Sequence, residues 1–156
     1  MKVEDLLRTA REKGLRIVTA ESCTGGMVAA ALTDIPGASD VVECGFVTYS
    51  NDAKIHLLGV SSETLESFGA VSEETALEMA DGALASAGAD IAVSVTGIAG
   101  PGGSEHKPEG RVCFAIATKE ATTAQTVEFG PLGRGRVRHA STQHALKLLA
   151  EAADKL

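Results

Sequence analysis

Apolar residues recur along the chain with two periods, and the alternation between them lays out an α/β domain. Val3, Leu6, Leu7 and Ala10 fall at helical spacing, and Gly14 closes that segment. Leu15 to Ala20 is a short apolar run of strand length, followed by a helix over Thr24 to Thr33 and a turn at Asp34–Ser39. Val41 to Tyr49 is rich in Val, Phe, Thr and Tyr, as strands are. Ser50-Asn51-Asp52 caps a helix over Ala53–Leu58 that Gly59 stops, and Ser61–Leu65 starts a short helix ending near Phe68-Gly69. Ser72 caps a longer helix with Glu73 and Glu74 in its first turn, and Leu77, Ala80, Leu84 and Ala87 form its apolar face up to Gly88.

The second half changes pattern. Ile91–Val95 is a strand that runs into the glycine-rich loop Thr96–Gly103, and polar residues continue the loop to Glu109. Arg111–Thr118 is apolar on both alternating faces, which predicts a central strand, and Thr122–Phe129 is its hairpin partner and an edge. Gly133 to Leu156 carries a last helix through Val137, Ala140, Ala145, Leu148, Leu149 and Ala152. Strand–helix alternation followed by a hairpin predicts one three-layer α/β/α domain over residues 1–156. Its sheet is expected to be mixed, mostly parallel, with the antiparallel hairpin near the C-terminus.

Composition narrows the chemistry. At 156 residues and 44% hydrophobic, the chain can bury a core without metal or disulfides. Aromatics are 3% and the net charge is −7, which argues against general nucleic-acid or membrane affinity. Cys23, Cys44 and Cys113 are odd in number and show no CxxC spacing, so free thiols in a reducing compartment are expected. The first residues begin an amphipathic pattern instead of a signal peptide, and a cytoplasmic protein is expected. His56, His106, His139 and His144 form no ligand spacing, so neither a metal nor a cofactor is expected.

Ligands of open α/β sheets gather at the carboxyl ends of strands. Three strand ends here carry unusual residues: Glu21-Ser22-Cys23-Thr24-Gly25-Gly26, then Thr48-Tyr49-Ser50-Asn51 with Lys54 one turn into the next helix, then Thr96 and the Gly97–Gly103 loop. Taken alone, Ser22 or Thr24 reads as a helix N-cap, Lys54 as a surface lysine and Tyr49 as a rim tyrosine. Brought together they read differently. Ser22 is a nucleophile that needs a base, and Lys54 with its pKa lowered by burial supplies one, with Tyr49 as proton relay or support. The free N–H groups at the start of the following helix are expected to hold the anion that forms. The glycine loop is neither a P-loop nor a dinucleotide fingerprint, since no Gly-Lys-Ser/Thr follows and it leads to a strand. Arg134, Arg136 and Arg138 crowd the start of the last helix, where cations disfavour the helix, and suggest an anion site.

The runs TAESCTGG (19–26), VTYSNDAK (47–54), Leu58-Gly59-Val60, GAVSEETA (69–76), GIAGPGG (97–103) and Lys107-Pro108-Glu109-Gly110 together resemble the CinA C-terminal family of nicotinamide mononucleotide amidohydrolases. The resemblance spans nearly the whole chain, with the motifs in one order, in the stand-alone form of the domain. It implies deamidation of nicotinamide mononucleotide (NMN) to nicotinate mononucleotide and ammonia without a required metal. Ser22 would be the nucleophile and Tyr49 and Lys54 its activating partners. Cys23, Thr24, Gly25, Gly26, Asn51, Thr96, Gly97, Gly100, Pro101, Gly102 and Gly103 would line the nucleotide site. The family's Gly-Asp-Arg-like opening of the last helix has no aspartate here, so Arg134, Arg136 and Arg138 stand as alternatives for the phosphate. The expected partner is the small nucleotide, with no nucleic acid and no membrane, and a homo-oligomer is compatible. An alternative of another class is a nucleotide-binding regulatory module that keeps the pocket without turnover.

Overall fold

The computed structural model describes residues 2–156, and in it the chain forms five strands and six α-helices. In order these are α1 Val3–Glu12, β1 Ile17–Glu21, α2 Met27–Thr33, β2 Val42–Val47, α3 Asn51–Leu58, α4 Ser62–Phe68, α5 Glu73–Ala87, β3 Ile91–Gly97, β4 Arg111–Thr118, β5 Thr122–Glu128 and α6 Arg134–Lys155. A single 3₁₀ turn at Ala38–Asp40 interrupts the connection between α2 and β2. The sheet order is β2-β1-β3-β4-β5. β1 pairs in parallel with both β2 and β3, whereas β3–β4 and β4–β5 are antiparallel. The mixed three-layer architecture expected from the pattern is what forms, with a parallel core of three strands and the hairpin at one edge.

Alternation along the strands divides the core. Ile17, Ile91, Val93, Val95, Val112 and Phe114 face α1, α2 and α6. Val18, Ala20, Ala92, Cys113, Ala115 and Ala117 face α3, α4 and α5. The second face is lined by small residues, and so is the helix upon it, through Ala76, Ala80 and Ala83. Small against small lets α5 lie close to the sheet.

The topology locates the site. Because β1 lies between β2 and β3, the loops leaving all three converge at one end of the sheet. The chain leaves β1 for the face carrying α2 and leaves β2 for the face carrying α3, which opens a crevice between them.

Boundaries differ from expectation in one instructive place. α2 begins at Met27, not at Thr24, because Gly25 and Gly26 have φ of 57° and 106°, outside the helical region. Ser50 and Ser72 cap α3 and α5 as expected, accepting from the N–H groups of Ala53 and Thr75.

Gly82 sits within α5, where a glycine costs about 1 kcal/mol relative to alanine. A Cβ there would lie 1.8 Å from the carbonyl oxygen of Leu58, the last residue of α3. Gly82→Ala is therefore expected to lower stability by about 1–3 kcal/mol despite its better helix propensity. Urea unfolding checks this, and an alanine variant as stable as the parent would show that α3 and α5 are not fixed by this contact.

Candidate active site

Ser22 leaves the end of β1 in a tight turn. Its N–H donates to Val95 of the neighbouring β3, and its carbonyl accepts from the Gly25 N–H. The two central residues of that turn, Cys23 and Thr24, have N–H groups with no acceptor among the described residues. The Ser22 side chain is 8% exposed and lies at the floor of a cleft of about 350 Å³.

Lys54 approaches Ser22 from the first turn of α3. Its side chain is 1% exposed, an unusual fate for a lysine. Its Nζ lies 2.9 Å from Ser22 Oγ, 2.9 Å from the Thr48 carbonyl and 3.2 Å from the Tyr49 carbonyl. No carboxylate pairs with it among the described residues. Burial without a counterion disfavours the ammonium and brings its pKa down to about 8, while Cys23 and, after it, Glu105 pull in the opposite direction. A neutral amine there has two N–H bonds for the two backbone carbonyls and one lone pair for Ser22.

Tyr49 takes part through its backbone. Its carbonyl meets Lys54 Nζ and lies 3.4 Å from Ser22 Oγ, whereas the ring is 61% exposed. The phenolic oxygen instead accepts from Arg134 at 3.0 Å. The expected contact between the phenol and the lysine is thus replaced by one through the main chain, since Tyr49 lies beyond the end of β2 and its hydroxyl meets Arg134 of α6.

The expectation that the helix start would hold an anion is also corrected. Glu21, fully buried and absent from the candidates named from sequence, already occupies it. Its carboxylate accepts from the Val28 N–H at 2.8 Å, the Ala29 N–H at 3.1 Å and the Thr24 hydroxyl at 2.6 Å. The Met27 N–H goes to the Thr24 carbonyl, so the first turn of α2 is satisfied from within the chain. The only sequence signal for this was an acidic residue at the end of a buried strand.

The cleft brings together Ser22, Cys23, Tyr49, Asn51, Lys54, Thr96, Gly97, Gly100, Pro101, Gly102, Gly103 and Arg134 from the residues expected. Thr24, Gly25 and Gly26 do not line it. Thr24 is turned to Glu21, and the two glycines shape the turn behind. Arg134 is the one arginine of the three at the cleft, bonded to the Gly100 carbonyl at 2.7 Å as well as to Tyr49. Arg136 is exposed away from it. Arg138 donates to the carbonyls of Cys23 and Thr24, where it braces the nucleophile turn. Thr96 donates to the Ala70 carbonyl and ties β3 to the loop before α5.

Cys23 lines the cleft beside Ser22, but burial pushes its thiol up to about 12. It stays protonated near neutral pH and is a poor nucleophile there. Glu109, also missed from sequence, fixes the glycine loop by accepting from the N–H groups of Gly102 at 2.7 Å and Gly133 at 3.0 Å. The first contact closes the loop on itself, and the second depends on where the start of α6 meets that loop, which no local pattern reveals. Among the described residues no group of three His, Cys, Asp or Glu side chains is placed to hold a metal, and no helix is long and apolar enough to cross a membrane.

Known proteins resemble this chain in sequence and fold over nearly its whole length. The profile of the CinA C-terminal domain matches residues 2–153. The nicotinamide-nucleotide amidohydrolase PncC of Escherichia coli K12 is 50% identical over 147 residues, covering 94% of this chain and 89% of that protein. A putative competence-damage inducible protein of Caldicellulosiruptor saccharolyticus is 48% identical over 147 residues, and there the chain spans only 36% of the relative's length. Among solved structures, the CinA superfamily protein KP700603 of Klebsiella pneumoniae superposes with a TM-score of 0.94 at 37% identity, covering 99% of this chain and 96% of that one. The competence/damage inducible protein CihA of Agrobacterium tumefaciens superposes with a TM-score of 0.90 at 48% identity, covering 99% and 96%. A match of this extent, in sequence and in fold, means that the chain belongs to the CinA C-terminal domain family.

Proposed function

We propose that this chain hydrolyses the amide of nicotinamide mononucleotide, giving nicotinate mononucleotide and ammonia, with Ser22 as nucleophile and Lys54 as its base. The observation that carries the reading is the buried Lys54 Nζ at 2.9 Å from Ser22 Oγ, with no salt bridge to a carboxylate among the described residues. The 50% identity to a nicotinamide-nucleotide amidohydrolase supports the substrate class.

The chemistry follows from these groups. Lys54 takes the Ser22 proton as Oγ bonds to the amide carbon. The negative oxygen that forms is held by the Cys23 and Thr24 N–H groups, which are left free by the turn. Lys54 returns the proton to the departing nitrogen as the C–N bond breaks, so ammonia leaves and a nicotinoyl ester remains on Ser22. Water, deprotonated by the same amine, bonds to the acyl carbon, and Lys54 hands the proton to Ser22 Oγ as the C–Oγ bond breaks and nicotinate mononucleotide leaves. The Tyr49 and Thr48 carbonyls keep the amine aimed throughout. The phosphate of the nucleotide suits the other end of the cleft, where Arg134 and the glycine loop meet.

Ser22→Ala is expected to abolish ammonia release from NMN while preserving nucleotide binding, and Cys23→Ala to keep most activity. Lys54→Ala should be inactive. Since the base works as the neutral amine, kcat/KM of the parent should rise with pH through a limb near the lysine value of about 8 and then level off. Acid quench followed by intact mass should show the nicotinoyl ester on Ser22. An active Ser22→Ala with an inactive Cys23→Ala would make the enzyme a cysteine amidase; a parent that binds NMN but releases no ammonia would be a binding module.

Arg134→Ala should weaken NMN binding by about 1.5–3 kcal/mol, the worth of a charge-assisted hydrogen bond, whereas Arg136→Ala should leave it unchanged. Calorimetry on the Ser22→Ala background separates the two, and the opposite ranking would move the phosphate away from Arg134.

A further inference from the structure

Three charged side chains line the cleft: Lys54, Arg134 and Glu105. The first two are committed, Lys54 to Ser22 and two carbonyls, Arg134 to Tyr49 and Gly100. Glu105 is different. Among the described residues no side-chain hydrogen bond or ion pair engages its carboxylate.

The surrounding structure nevertheless fixes the backbone turn from which that exposed side chain extends. Glu105 and His106 form a two-residue hairpin turn, closed by Ser104 and Lys107 exchanging backbone hydrogen bonds of 2.9 and 2.8 Å. Both turn residues are left-handed, with φ of 53° and 64°, a conformation usually left to Asn and Gly. Lys107 then pins the turn to the α4–α5 connection, donating at 2.6 Å to the carbonyls of both Phe68 and Val71. Gly69, with φ of 81°, leaves the space the carboxylate occupies. A Cβ there would stand 2.6 Å from Glu105 Oε2. The turn therefore places at the cleft a carboxylate that no hydrogen bond or ion pair engages among the described residues.

We infer that Glu105 is a specificity-determining residue that recognises the positive charge of an N-glycosylated pyridinium ring and so selects nucleotides carrying that ring over uncharged amides of the same shape. The inference rests on the amidase reading given above. Glu105 is exposed at the cleft, so its attraction to a ring cation is modest and weakened by salt, and a neutral ring gains nothing from it. The ring of NMN is cationic only because its nitrogen bears the ribose. Free nicotinamide lacks both the charge and the phosphate.

The test compares NMN with its neutral isostere, the benzamide C-riboside 5′-monophosphate, which keeps the amide, ribose and phosphate. Binding of each is measured by calorimetry at low ionic strength to Ser22→Ala and to Ser22→Ala/Glu105→Gln, with thermal melting to confirm that both variants fold alike. NMN should bind Ser22→Ala about fivefold or more tightly than the isostere, and Glu105→Gln should erase most of that gap by weakening NMN alone. Equal affinity of the two ligands for Ser22→Ala overturns the inference. Equal weakening of both by Glu105→Gln also overturns it and assigns Glu105 to the ribose they share. Ammonia release from NMN by the parent is measured alongside. Charge discrimination without ammonia would sink the amidase reading and leave Glu105 as the reader of ring charge.

Discussion

The arrangement depends on one lysine held without a counterion. Lys54 is fully enclosed, and what surrounds its Nζ is a hydroxyl and two carbonyl oxygens rather than a carboxylate. Dipoles satisfy the N–H bonds of a neutral amine but only partly compensate a buried charge, so the fold shifts the lysine toward the form that can take a proton. Everything near it serves that balance. The parallel β2-β1-β3 core brings the two carbonyls beside Ser22, and the close approach of α5 to the end of α3, allowed by Gly82, holds the lysine's helix in place.

A second constraint is the buried Glu21. A helix N-terminus at a strand end is a ready anion site, and in this chain it is filled by the protein's own carboxylate. The consequence is a division of labour. Glu21 locks α2 and, through Thr24, the back of the turn, while Arg138 braces the same turn by binding the carbonyls of Cys23 and Thr24. The N–H groups of Cys23 and Thr24 are what remain for a developing negative charge. A rigid turn with fixed donors costs little reorganisation during reaction.

Local patterns carried the architecture because each element announces itself in adjacent residues. The serine caps at Ser50 and Ser72, the glycine stops at Gly59 and Gly88, and the doubly apolar strand over Arg111–Thr118 could all be read in place. The convergence of Ser22, Lys54 and the glycine loop was legible too, since three strands ending in chemical residues point to one sheet end. Direction of side chains was not. Tyr49 turns its phenol to Arg134 and offers its carbonyl instead, and Arg138 turns to the nucleophile turn, because both outcomes depend on where α6 crosses the sheet. Glu21, Glu105 and Glu109 escaped as well. Glu21 turns back onto residues three to eight positions on and Glu109 spans its own loop to reach Gly133 as well, while Glu105 sits on a left-handed turn that sequence does not advertise.

The account stands or falls on the charge state of Lys54. A carbon-13 NMR titration of the Lys54 side chain in the folded protein, assigned by comparison with the Lys54→Ala variant, reads it directly. The account predicts a midpoint near 8, with the amine largely neutral in mild base. A midpoint at the ordinary lysine value near 10.5 would mean that Lys54 remains an ammonium next to Ser22, and it would then serve as an electrostatic clamp instead of a base.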